Sequence, residues 1–200
     1  EYTKELLLYG DHTDDYALSY EITKYLHHSR GVRCSPEQIL ISSGTQESLN
    51  LLCLILLNLH SSIAFENPSY IGAKDVFKHF NFNINPINLT EDGINIETLN
   101  KSDSKIVYVT PSHQYPYGMV MPISKRLKLL NWANENNGII IEDDYDGEFR
   151  YKGKSIPSLQ GLDETGRVVY LGSFSKSLMP SLRTSYLVLP KFLLNIYEEK

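Results

Sequence analysis

Five short stretches of this chain carry side chains suited to covalent or ionic chemistry. In Ser173-Phe174-Ser175-Lys176 a lysine follows small hydroxyl residues at the end of an apolar run. A lysine held away from water gives up its proton readily and can then form a Schiff base with a carbonyl. Arg183 lies seven residues further on, and its planar fork matches a phosphate. Asp143, Asp144, Tyr145 and Asp146 close another apolar run. Carboxylates at such a place suit a metal, a helix cap or a protonated ring nitrogen, with Asp144 and Asp146 expected to be solvated loop charges. Ser43-Gly44-Thr45 opens a helical stretch, where free backbone amides attract anions, although Ser and Thr are also ordinary caps. Tyr70, after Asn67-Pro68-Ser69, is either a core aromatic or a ring that stacks on a flat ligand. Residues 111–118 gather Ser112, His113, Gln114, Tyr115 and Tyr117 between turn formers. No second histidine stands at ligand spacing from His113, so a metal is not expected there, and no GxxxxGK[ST] phosphate loop occurs.

The elements that must position these groups alternate in type. Leu18, Ile22, Tyr25 and Leu26 fall at helical spacing before Gly31. Strands are expected over residues 39–42, 63–66, 83–89, 105–110, 138–142, 167–172 and 185–189, and helices over 45–60, 70–80 and 124–137. Such alternation, with continuously apolar strands, predicts a mostly parallel sheet covered on both faces. In that architecture the chemistry sits just past the carboxyl ends of the strands, which is where all five stretches fall.

The 200 residues fit one large domain, and 42% apolar with 22% charged residues excludes a disordered chain. The net charge of −5 argues against nucleic-acid binding by this segment. The longest apolar run, residues 51–57, is far short of the roughly 20 residues that span a bilayer. Cys34 and Cys53 form no CxxC pattern and are expected as reduced thiols. A start at Glu1 and an end at Lys200 within a charged helical stretch suggest a piece of a longer chain.

Taken together, a phosphate cradle, a stacking aromatic, a carboxylate for a ring nitrogen, a Schiff-base lysine and an arginine meet the needs of one cofactor, pyridoxal 5′-phosphate (PLP). The ordered set SGT, NPSY, PSHQYPYG, EDDYDGEF and SFSK with its arginine resembles the large domain of fold-type-I PLP enzymes, the aspartate aminotransferase family. It is most similar to the aminotransferase-like domain of MocR/GabR-type transcriptional regulators of the GntR family, from about Tyr9 to the end of the chain. Two departures from ordinary aminotransferases point the same way: Tyr115-Pro116-Tyr117-Gly118 replaces Asn-Pro-x-Gly, and Asp143 and Tyr145 are spaced as DxY in place of DxxY.

The resemblance implies an α/β fold, the aspartate aminotransferase-like large domain of a PLP-dependent transferase, with a mostly parallel sheet and helices on both faces. It implies that Lys176 forms the internal aldimine, that Asp143 keeps the pyridine nitrogen protonated, and that Tyr145 reaches the ring 3-hydroxyl. Tyr70 would stack on the ring, and Gly44, Thr45, Ser173 and Arg183 would hold the phosphate. Ser43, Ser175, His113 and Gln114 complete the expected cofactor contacts, and no metal is expected. Tyr9 resembles the tyrosine that reaches the phosphate of the other subunit, which implies a homodimer.

Residues 1–200 are thus expected to be the PLP-binding large domain, with a small domain beyond Lys200 and a DNA-binding domain before Glu1. The expected role is a cytoplasmic effector and dimerisation domain that senses an amine, an amino acid or PLP itself. DNA would be met only through the preceding domain, and no membrane is involved. A free-standing aminotransferase of amino and 2-oxo acids is the alternative, and a cofactor-free dimerisation module a weaker one.

Overall fold

The computed structural model describes residues 14–147, 156–175, 181 and 183–199. Eight strands form one sheet in the order β1-β8-β7-β6-β5-β2-β3-β4. They are β1 (Ile39–Ser42), β2 (Ser62–Asn67), β3 (Asn83–Thr90), β4 (Gly93–Ile94), β5 (Ile106–Val109), β6 (Ile139–Asp143), β7 (Val168–Ser173) and β8 (Ser185–Val188). The run β7-β6-β5-β2-β3 is parallel throughout, whereas β8 lies antiparallel between β7 and β1, and β4 antiparallel to β3. The helices are α1 (Asp14–Arg30), α2 (Thr45–Leu56), α3 (Ile71–His79), α4 (Ile96–Lys101), α5 (Ile123–Asn136), α6 (Leu159–Leu162) and α7 (Lys191–Glu198).

Strand pleating sends alternate residues to opposite faces, and because helices cover both faces both sets are apolar. Ile63, Phe65, Ile106, Tyr108, Ile139 and Ile141 enter one core with α2, α3 and α7. Their neighbours Ala64, Val107, Val109 and Ile140 enter a second core with α4, α5 and α6. Ile22 and Leu26 of α1 pack on Ile39, Tyr170, Tyr186 and Val188 at the β1 side of the sheet. The helix expected over 45–60 ends at Leu56, where a turn through residues 57–59 breaks the apolar run. Among the described residues, no helix is long and apolar enough to cross a membrane.

Candidate functional site

The carboxyl ends of β2, β5, β6 and β7 share one edge of the sheet, and the last residue of β1 meets them there: Ser42 pairs with Ser185, and Ser185 with Ser173. Along β6 the alternation that puts Ile139 and Ile141 on one face and Ile140 on the other continues into the acidic residues. The consecutive carboxylates therefore diverge. Glu142, fully buried, accepts the backbone N–H groups of Leu159 (2.8 Å) and Gln160 (2.9 Å) at the start of α6, with Arg126 Nη1 at 3.5 Å. Asp143 stays on the Ile141 face, where the Tyr108 hydroxyl donates to its Oδ2. Burial pushes the Asp143 carboxyl up to about 7. The Tyr108 hydroxyl pulls it down, the charge of Asp144 pushes it further up, and the Tyr145 backbone pulls it down.

Asp144 and Asp146 are not solvated loop charges: each is 6% exposed. Asp144 accepts from Arg30 Nε at 2.6 Å and from the Tyr170 hydroxyl at 2.6 Å, while Arg30 Nη2 also reaches Ser112 Oγ at 2.6 Å. For Asp144 the expectation failed because α1 brings a cation from 114 positions away in the chain to the strand end.

A cavity of ≈ 280 Å³ opens at this edge, lined by Thr45, Tyr70, Thr110, Tyr115, Asp143 and Tyr145. Beside Thr45, Gly44 has φ +126°, and a Cβ there would lie 2.6 Å from Arg183 Nη2. Only glycine lets the guanidinium lie against the backbone at the start of α2. The Gly44 N–H donates to Ser185 Oγ (3.1 Å), and that hydroxyl is bonded in turn to those of Ser42 (2.8 Å) and Ser48 (2.9 Å). The helix start is thereby tied to β1 and β8, with a cation over it.

The tyrosines form the walls. Tyr70 lies back over Gly72, where a Cβ would come 2.5 Å from its Cζ, and its hydroxyl accepts from Gln46 Nε2 at 3.4 Å. Tyr115 meets Tyr70 edge-on at 5.9 Å and Tyr145 at 6.3 Å. The Tyr145 hydroxyl donates to the His113 carbonyl at 2.9 Å.

Of the expected cofactor residues, the structure gathers Thr45, Tyr70, Asp143 and Tyr145 around the cavity, with Gly44 and Arg183 against each other beside it. Ser43 donates its hydroxyl to the Glu47 side chain, one turn along α2. Ser173 and Ser175 are bonded to each other, with Oγ atoms 3.0 Å apart. His113 packs its ring edge-on against Tyr145 at 6.3 Å and does not line the cavity. Gln114 is 2% exposed and does not line it either. Its amide donates to the carbonyls of Pro68 (3.0 Å) and Tyr115 (2.6 Å), and its carbonyl accepts from the Tyr117 N–H (3.3 Å). Gln114 thus braces the loop that carries Tyr115. Lys176 and Tyr9 lie outside the described residues.

Sequence reasoning missed Tyr108, Thr110 and Glu66. Glu66, one residue before the end of β2, is fully buried, and its Oε2 accepts from the Thr110 N–H (3.2 Å) and hydroxyl (3.0 Å). Its Oε1 has no hydrogen-bond partner among the described residues, and burial pushes the carboxyl up to about 7. The one available signal was an acidic residue closing the apolar run Ile63-Ala64-Phe65.

The residues present fit PLP. A cradle that a Cβ at Gly44 would fill, with an arginine over it, adjoins Thr45, and Thr45 and the buried Asp143 line one cavity that tyrosines wall in. Among the described residues, no group of His, Cys, Asp and Glu is placed to hold a metal ion.

Comparison with known proteins adds an independent line. Residues 2–198 match the family model for class I and II aminotransferases. The chain is 47% identical to the HTH-type transcriptional regulator YdeL of Bacillus subtilis, over 97% of this chain and 42% of that protein. It is 40% identical to the probable rhizopine catabolism regulatory protein MocR of Rhizobium meliloti, over 92% of this chain and 38% of that protein. Among solved structures it resembles kynurenine aminotransferase of Pyrococcus horikoshii, with a TM-score of 0.87 and 31% identity, covering 100% of this chain and 52% of that one. The chain thus spans about two fifths of the length of these curated regulators.

Proposed function

Since the chain belongs to the family of class I and II aminotransferases, we propose that it is the PLP-binding effector domain of a MocR-type transcriptional regulator. It works as part of a homodimer in the cytoplasm and senses an amine, an amino acid or PLP. The observation that carries this reading is one cavity lined by both the buried Asp143 and Thr45, the residue next to the Gly44–Arg183 cradle. The winged-helix domain that meets DNA would precede Glu1, and a small domain would follow Lys200.

In this reading each side chain has a task. Arg183 and the backbone amides at the start of α2 bind the phosphate, since both present positive charge to it. Tyr70, Tyr115 and Tyr145 exclude water and fix the plane of a flat ring. Asp143 holds a proton at the pyridine nitrogen. Ser173 and Ser175 precede Lys176, the lysine proposed for covalent attachment, in the sequence. Bound PLP would supply a reactive aldehyde and a ring that withdraws electrons.

Turnover as an aminotransferase is the alternative, and the similarity to a kynurenine aminotransferase supports it. The loop after β5 favours the sensor. It places Tyr115 in the cavity wall with Gln114 as an internal brace, where ordinary aminotransferases use an asparagine toward the ring.

The test uses the full-length protein. With PLP it should absorb in the visible, lose that band on borohydride reduction and carry the pyridoxyl group on Lys176. A label on another lysine, such as Lys154, sinks the assignment. Amine-dependent DNA binding without net amino transfer supports the sensor, and steady turnover supports the alternative.

A further inference from the structure

The group beneath Asp143 has no role in the reading above. Tyr108 stands in β5 opposite Ile141 of β6, on the same sheet face as Asp143. It is fully buried, and its ring lies against Phe65 with centroids 4.9 Å apart. That packing aims the hydroxyl along the face at Asp143 Oδ2. Burial, and then the charge of Asp143, hold the phenol well above its ordinary value. It therefore remains a donor across the range in which the carboxyl titrates.

We propose that Tyr108 is a positioning residue, whose hydroxyl keeps the Asp143 carboxylate ionised and oriented so that the proton they share in the complex rests on the cofactor's ring nitrogen. The proposal rests on the PLP reading above and names a tuning group for it. A proton between a carboxylate and a pyridine nitrogen goes to the more basic partner. A carboxylate this deeply buried is basic, because burial disfavours its charge. A phenol donating to it stabilises the charged form and makes it less basic.

Among the described residues, the other groups around the pair do not supply this effect. Asp144, next along β6, pushes the Asp143 proton on, and Arg30 of α1 is spent on Asp144. Glu66 of β2 and Tyr70 before α3 also lie near Tyr108, and neither is among the described groups that act on Asp143. The Tyr145 backbone assists more weakly than the Tyr108 hydroxyl.

Tyr108→Phe keeps the ring against Phe65 and removes only the hydroxyl. In full-length apo-protein with 13C-labelled aspartate carboxyls, the Asp143 resonance is assigned by its loss in Asp143→Asn. Its titration in Tyr108→Phe should rise by about 1–2 pH units, the equivalent of one charge-assisted hydrogen bond. A 3-fluorotyrosine at position 108, a stronger donor with the same packing, should shift it down, which keeps the test alive if the phenylalanine variant is unstable. An unmoved Asp143 titration in both overturns the proposal, and a purely space-filling Tyr108 gives that result. With 15N-pyridine PLP bound, the ring nitrogen should be protonated in the wild type and shift toward the unprotonated position in Tyr108→Phe. An apo shift with no change at the bound nitrogen overturns the step to the cofactor. Failure of the wild-type protein to take up PLP overturns the PLP reading instead, while the apo titration still decides what Tyr108 does to Asp143.

Discussion

Arg183 and Glu66 show how exposure decides what an ionisable side chain does. Arg183 is exposed, sits at φ +46° and lays its guanidinium against Gly44. Removing it should cost the anion end of a ligand and little else. Arg183→Ala is expected to weaken PLP about 10- to 100-fold while leaving pyridoxal, which lacks the phosphate, nearly unchanged, as read by spectroscopic titration. Equal weakening of both would make Arg183 structural. Glu66 is the opposite case, a carboxyl with no route to water. Its value of about 7 in the fold lies above the ordinary 4.5, so between these the folded state holds a proton that the unfolded state has lost. That contribution to stability is complete below the lower value and fades as pH rises to the upper one, by up to about 1.4 kcal/mol per pH unit. Asp143 adds a second contribution of the same sign. Urea unfolding of the apo-protein should therefore show stability falling as pH is raised toward neutrality, with a shallower fall in Glu66→Gln. An unchanged slope in that variant would mean that Glu66 is ionised inside the fold.

Single elements explain what was legible in the sequence. The strands announce themselves as β-branched runs, so β1, β2, β5, β6 and β7 fall where those runs predict, and Gly138 marks the start of β6. The short α4 and α6 were not expected. Each has its start capped by a side chain that accepts a backbone N–H, Asn95 Oδ1 from Thr98 in α4, and Ser158 Oγ from Gly161 in α6 beside the two bonds to Glu142, and four to six residues carry too little periodicity to read. His113 and Gln114 were grouped with the cofactor because their side chains can hydrogen-bond. A composition cannot say which way a loop turns, and the Gly118 N–H to Gln114 carbonyl bond (2.6 Å) folds the loop so that Gln114 points inward. Glu66 escaped because a terminal acid in an apolar strand looks like a boundary; β2 is in fact an interior strand, flanked by β3 and β5. At the start of α2 the element itself can be tested. Gly44→Ala forces a side chain into φ +126° and onto Arg183 Nη2. The guanidinium end can swing away, so the cost in stability should be the backbone strain alone, about 1–3 kcal/mol. PLP affinity should fall as far as in Arg183→Ala, because the cation is displaced. Retained affinity in a stable Gly44→Ala variant would disprove the cradle.

Over the whole molecule, one buried polar network joins segments that the sequence separates. Arg30 closes α1 and bonds Asp144 past β6 and Ser112 in the loop after β5, while Tyr170 of β7 donates to the same Asp144. The network binds α1 to the strand end that carries Asp143. Arg30 and Asp144 are 7% and 6% exposed, so each would be a stranded charge without the other. Breaking such a pair is costly, whereas replacing both members by apolar side chains is close to neutral. Arg30→Met should therefore lower unfolding stability by about 3–5 kcal/mol, and Arg30→Met with Asp144→Leu should recover most of that loss. The double variant also removes the charge that pushes Asp143 upward, so its Asp143 should titrate lower and PLP should still load. Urea unfolding of the wild type and both variants, with PLP uptake read alongside, decides the matter. A cost below about 1 kcal/mol for Arg30→Met, the range of exposed pairs, would show that water reaches the pair. A double variant as unstable as the single would show that the network is needed to hold α1 in place, beyond the neutralisation of two charges.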